Sequence, residues 1–116
     1  VNWGICCRGT NSTYNIRVGR SQTITGPYLD KVGSDMLKAG GSVFLPTVNG
    51  PLFGPGHAGI LKAEGKEWFT SDFEGDVRMD GKATFAIMPL RWNADGWPEA
   101  TVNDLKSVPS AEPATK

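Results

Sequence analysis

An excess of charge of either sign is missing from this sequence. Its 116 residues carry 12 Lys+Arg against 12 Asp+Glu, a formal net charge of zero. A protein that grips nucleic acid through the phosphate backbone shows a basic excess, so no nucleic-acid partner is expected. Long apolar runs are missing as well. None approaches the roughly 20 residues that span a bilayer as a helix, and no membrane partner is expected. No basic stretch followed by an apolar core opens the sequence, so no secretory leader is expected within it. Helical periodicity is weak throughout, and its best stretch, residues 30–39, is interrupted by Gly33. Histidine occurs once, at position 57, and the two cysteines stand side by side at 6 and 7. That pair lacks the CxxC spacing of a zinc site.

Glycine and proline are abundant instead, at 15 and 8 residues. They cut the chain into short apolar stretches joined by turns, the profile of an all-β protein. Residues 1–5 read as a strand and "CCRGTNS" as a loop. "TYNIRVGRS" alternates, with Tyr14, Ile16 and Val18 on one face and Asn15, Arg17 and Gly19 on the other. "GSVFLP" is a short strand stopped by Pro46, and "TVNGPLFGPG" is rich in turn residues. "HAGILKA" and "EWFTSDF" are strands joined by the tight turn "EGK". "EGDVRMDGK" reads as a loop, "ATFAIMPLRW" as a strand and "NADGWPEA" as a turn leading to an edge. Residues 107–116 have the composition of a disordered tail.

A weak repeat underlies this pattern. Thr13 to Val18 leads to Gly26-Pro27-Tyr28 as Thr84 to Pro89 leads to Gly96-Trp97-Pro98, at an offset of about 70 residues. At that offset Val1-Asn2-Trp3 falls on Ser71-Asp72-Phe73. Four-stranded blades around a channel are one architecture with such repeats. The second unit has "HAGILKA" ahead of its "EWFTSDF" strand, whereas nothing precedes Val1. The first unit's innermost strand is thus missing or supplied from elsewhere. The sequence is expected to be the end of a longer chain.

Three segments in order, "CCRGTNSTYNIRVGRSQTITGPYLD", "GPGHAGI" and "PLRWNADGWP", make the sequence resemble glycoside hydrolase family 43, in its arabinanase and α-L-arabinofuranosidase group. The resemblance covers about residues 1–99. It implies a five-bladed β-propeller of which this sequence holds about the last two blades. Residues 1–53 would form an incomplete blade plus connection and 54–106 the last blade, together a partial propeller over 1–106. It also implies hydrolysis of α-L-arabinofuranosyl bonds with inversion, which needs two carboxyl groups about 6.5–9.5 Å apart. The family's three catalytic carboxylates lie in the first three blades, so none maps onto this sequence and an N-terminal segment would supply them. The alternative is a non-catalytic carbohydrate-binding or assembly module derived from that propeller. Plant cell-wall polysaccharide or oligosaccharide is the implied ligand, with a complementary propeller segment or self-association as the implied protein contact. A secreted or periplasmic location follows by family analogy.

The resemblance also bears on single residues. A lone histidine read by itself is a surface or packing residue. In the family the matching histidine points into the channel and helps hold a cation, usually calcium, so it makes His57 a metal-site residue. Calcium prefers oxygen ligands, so this ligand would act within a shell made mostly of water. Gly54-Pro55-Gly56 would bring the chain close to the axis just before the strand starts. Cys6, Cys7 and Arg8 fall in a loop near the family's active face and are the substrate-binding candidates; Ser12 and Tyr14 are weaker ones. Adjacent cysteines have Cα atoms about 3.8 Å apart, below the usual disulfide range, which favours two free thiols. The alternative is a vicinal disulfide walling the cleft. Arg8 reads equally as a solvated loop residue. Asp72, Glu74 and Asp76 alternate as in a solvated acidic rim, although neighbours two apart brush the inverting separation. "TSDFEGD" departs here from the aromatic, histidine-bearing segment of arabinanases. Trp92 and Trp97 frame the "NADG" turn and are assigned to structure.

Overall fold

In a computed structural model of the chain, residues 1–4 and 6–102 are described; the tail expected over 107–116 lies outside them. The described residues form strands, turns and three short 3-10 turns, with no helix long and apolar enough to cross a membrane. One antiparallel sheet has the order β1 (Asn2–Trp3), β2 (Asn15–Val18), β3 (Ser42–Leu45). A second runs β4 (Val48–Asn49), β5 (Leu52–Ala63), β6 (Lys66–Asp76), β7 (Lys82–Pro89). A small ribbon pairs β8 (Arg91–Trp92) with β9 (Pro98–Glu99).

The expected strands recur with differences, among them the short strand β4 in a stretch expected as turns and the run of β6 to Asp76 into one expected as loop. The "ATFAIMPLRW" strand breaks at Leu90, whose N–H donates to the Glu67 carbonyl at 3.0 Å. More consequential is β5. The stretch "PLFGPG", expected as turns, is mostly strand, and β5 runs from Leu52 across the expected division between residues 53 and 54. Proline is tolerated in a sheet at an edge or a bulge, and both conditions hold. β4 flanks β5 only at Leu52 and Phe53, and the β5–β6 register shifts between Gly56 and Gly59, just after Pro55. The β5–β6 turn is the tight one expected. Glu64 and Gly65 have φ of 55° and 76°, and two left-handed residues give the twist that suits a two-residue hairpin.

The repeat is visible in the sheets. β1 beside β2 matches β6 beside β7, and among the described residues β1 has no strand of its sheet on its other side. The core lies between the two larger sheets, where Ile16 and Leu45 meet Leu52, Phe69, Phe73 and Met88. Burial of each such side chain contributes about 1.5–3 kcal/mol. Phe44 and Phe69 pack with ring centroids 4.7 Å apart and planes tilted by 60°. On the opposite face of β5–β7, Leu61, Phe85 and Ile87 are 45%, 60% and 42% exposed.

Candidate functional site

The loop from Cys6 to Ser12 lies on β5 and β6 because two glycines leave room for it. A Cβ on Gly75 would stand 2.5 Å from the Gly9 carbonyl carbon and 2.6 Å from the Thr10 nitrogen. A Cβ on Gly54 would collide with the Ser12 side chain and stand 3.1 Å from the Glu74 Cβ. Ser12 is buried there, and its Oγ accepts from the Tyr14 N–H at 3.2 Å. Thr13 ties the neck of the loop. Its N–H donates to the Cys6 carbonyl at 2.9 Å, and its hydroxyl oxygen is 3.2 Å from the Cys6 nitrogen. Residues Gly9–Asn11 close as a 3-10 turn.

Cys6 and Cys7 are joined as a disulfide, which corrects the expectation of free thiols. Successive side chains of an extended chain point to opposite sides. Cys7 has φ 82°, and this left-handed backbone lets the two sulfurs meet. The bridge and Arg8 are both exposed. Arg8 forms no ion pair among the described residues.

His57 sits in mid-strand, not at the mouth of one. It has φ 53° and occupies the shift in register between Gly56 and Gly59, which turns its ring out to solvent. The residue before it is held firmly. The Gly56 carbonyl accepts from the buried Ser71 hydroxyl at 3.1 Å. A Cβ on Gly56 would meet the Asn2 amide at 3.3 Å and the Tyr14 ring at 3.6 Å. Asp72, exposed, is the register partner of Gly56. Asn2, Tyr14, Asp72 and His57 therefore border one short stretch of β5, and the disulfide loop borders its neighbour at Gly54. Sequence reasoning passed over Asn2, because its approach to Gly56 joins residues far apart in the chain.

The acidic row is not one rim. Asp72 is exposed and Glu74 half-buried, but Asp76 is fully buried. The β6–β7 register shifts between Phe73 and Asp76, and that shift carries Asp76 to the inner side. Its carboxylate accepts from Arg78 Nη2 at 2.7 Å and Nε at 2.9 Å, and from the Thr84 hydroxyl at 3.1 Å. The Arg78 hydrogen bonds hold the Asp76 carboxyl below its ordinary range against the opposing effect of burial. Asp76 is a structural anion.

Among the described residues no group of three or more His, Cys, Asp or Glu gathers where it could hold a metal ion. His57 offers one exposed imidazole, which by itself does not make a calcium site, since that ion takes six to eight oxygen ligands. The surface does suit a hydroxyl-rich ligand. Exposed Asn2, His57 and Asp72, with Tyr14 beside them, offer an amide, an imidazole, a carboxylate and a phenol for hydrogen bonding.

Residues 4–98 match the profile of glycosyl hydrolases family 43. The chain belongs to that family. Family 43 relatives include the extracellular exo-α-(1->5)-L-arabinofuranosidase ArbA of Cellvibrio japonicus, 38% identical over 92% of this chain and 30% of its own length. The extracellular endo-α-(1->5)-L-arabinanase 1 of Bacillus subtilis is 40% identical over 84% of this chain and 28% of its own. The α-L-arabinanase of Cellvibrio cellulosa superposes with a TM-score of 0.83 at 35% identity, covering 97% of this chain and 35% of that one. The same arabinanase in complex with arabinohexaose gives 0.80 at 37% identity, over 91% of this chain and 33% of that one. The sheets of this chain are thus blades of the five-bladed family 43 propeller. The chain spans about 30% of the length of the curated relatives it matches.

Proposed function

We propose that this chain is the C-terminal portion of an inverting family 43 hydrolase acting on α-L-arabinofuranosyl linkages of arabinan. The observation that carries the reading is the match to arabinan-acting relatives over most of this chain but under a third of theirs. A complementary N-terminal propeller segment supplies the acid and the base that inversion requires. This chain supplies part of the sugar-binding face. Cys6, Cys7 and Arg8 form a stiff edge that touches substrate, with the Arg8 guanidinium donating to sugar hydroxyls. His57 gives one ligand to a channel calcium whose remaining positions are filled by water and by other blades. The protein works outside the cell, as the names of its relatives support.

The test is turnover. Residues 1–116 alone leave linear arabinan and an aryl α-L-arabinofuranoside intact, and activity appears when the missing blades are supplied as a second chain. Turnover by the lone chain that vanishes in Asp72→Asn or Glu74→Gln would overturn the reading and move the acid–base pair into β6.

A further inference from the structure

A second pocket, sharing no lining residue with the surface above, opens between residues 20–33 and Trp97 and has a volume of about 650 Å³. Two cations converge on one ring there. The Arg20 guanidinium carbon lies 4.1 Å from the centroid of the Trp97 ring, and Lys31 Nζ lies 5.9 Å from the same centroid. Trp97 is only 7% exposed, so its ring is a floor. Neither cation forms an ion pair among the described residues. The one acid among the described residues lining the pocket, Asp30, offsets only one of the two charges. Asp30 turns its carboxylate into its own loop, accepting from the N–H groups of Val32 at 3.0 Å, Ser34 at 2.9 Å and Gly41 at 2.9 Å. Arg20 commits Nη1 to the Asp95 carbonyl at 2.6 Å, which fixes the orientation of the guanidinium. Gln22, exposed on the rim, has no hydrogen-bond partner among the described residues.

Packing alone accounts for one cation on an aromatic ring. It accounts less readily for two, because like charges gathered at one ring repel and the carboxylate of Asp30 offsets only one of them and is tied to its own loop. A preset guanidinium and an ammonium lining one pocket are donors of the kind that take a carboxylate. The free amide of Gln22 adds a group suited to hydroxyls. We propose that this pocket is an accessory binding site for an anionic saccharide, in which Arg20 and Lys31 clamp a sugar carboxylate and Gln22 bonds an adjacent hydroxyl. The anion follows from this pocket alone. The saccharide rests on the reading of the protein as a carbohydrate-acting enzyme, and the site is independent of arabinan cleavage.

Isothermal titration at low salt tests it, with trigalacturonate as the probe, neutral galactotriose of equal length as the control, and inorganic phosphate as the bare-anion comparison. The expected result is saturable binding of trigalacturonate, weakened roughly fivefold or more in Lys31→Gln and by added salt, with galactotriose silent. Arg20→Gln also loses packing on Trp97, so the exposed Lys31→Gln and Gln22→Ala variants carry the decision. No saturation, or unchanged affinity in Lys31→Gln, overturns the site. Phosphate bound as tightly as trigalacturonate, with Gln22→Ala neutral, overturns the saccharide assignment. Loss of arabinan turnover in the assembled enzyme with trigalacturonate binding intact would count against the proposed function and leave this site standing.

Discussion

At the residue scale, Asp76 and His57 show how a bulge decides what a side chain can do. The register shift before Asp76 takes it out of the exposed row and against Arg78 and Thr84. Its carboxyl titrates below the ordinary value of 3.8, chiefly through the Arg78 hydrogen bonds. A group whose folded pKa is depressed adds stability above its unfolded pKa and loses it as pH falls through the folded one. Asp76→Asn is therefore expected to cost about 2–3 kcal/mol near neutral pH and to flatten the loss of stability in acid. Urea unfolding of both proteins from neutral pH to below 3.8 measures this, and parallel pH curves would refute it. For His57, the proposed calcium role predicts that calcium raises the Tm of the assembled protein and that truncation to alanine reduces that rise. An equal calcium response in wild type and His57→Ala would make the histidine a surface residue only.

At the scale of elements, most strands were legible and their irregularities were not. Alternation in "TYNIRVG" and the "EGK" turn mark β2 and the β5–β6 hairpin in the sequence itself. Gly54-Pro55-Gly56 reads as punctuation, yet it is strand, because β4 stops early and a bulge follows. The glycines of these elements serve two distinct ends. Gly65 has φ 76° and open space around it, whereas Gly75 has no left-handed backbone but a Cβ added to it would stand 2.5–2.6 Å from the Gly9–Thr10 main chain. Gly65→Ala is expected to cost about 1 kcal/mol through backbone strain. Gly75→Ala should cost about 2–3 kcal/mol and push the disulfide loop away from β6. Denaturant midpoints rank the two, and the reverse order would mean that the loop is not seated there.

For the whole molecule, two features ask for a neighbour. β1 is an edge of its sheet, and Leu61, Phe85 and Ile87 form an apolar band on the outer face of β5–β7. Open edges pair and bare apolar faces associate. The chain by itself is expected to sediment with a mass that rises with concentration, less so in Phe85→Ser with Ile87→Thr. A concentration-independent monomer with cooperative unfolding would argue against it. The sequence alone determined the all-β class, the family and the order of the strands, because these follow from short-range alternation, turn residues and three quoted motifs. It did not determine which side chains share a surface. The thiol pairing depended on a left-handed backbone at Cys7, and the burial of Asp76 on a one-residue slip in pairing. The approach of Asn2 and Tyr14 to the stretch before His57 joins residues more than 40 positions apart. Each is a contact between segments far apart in the chain or a break in the period of two, and a local pattern carries no record of either.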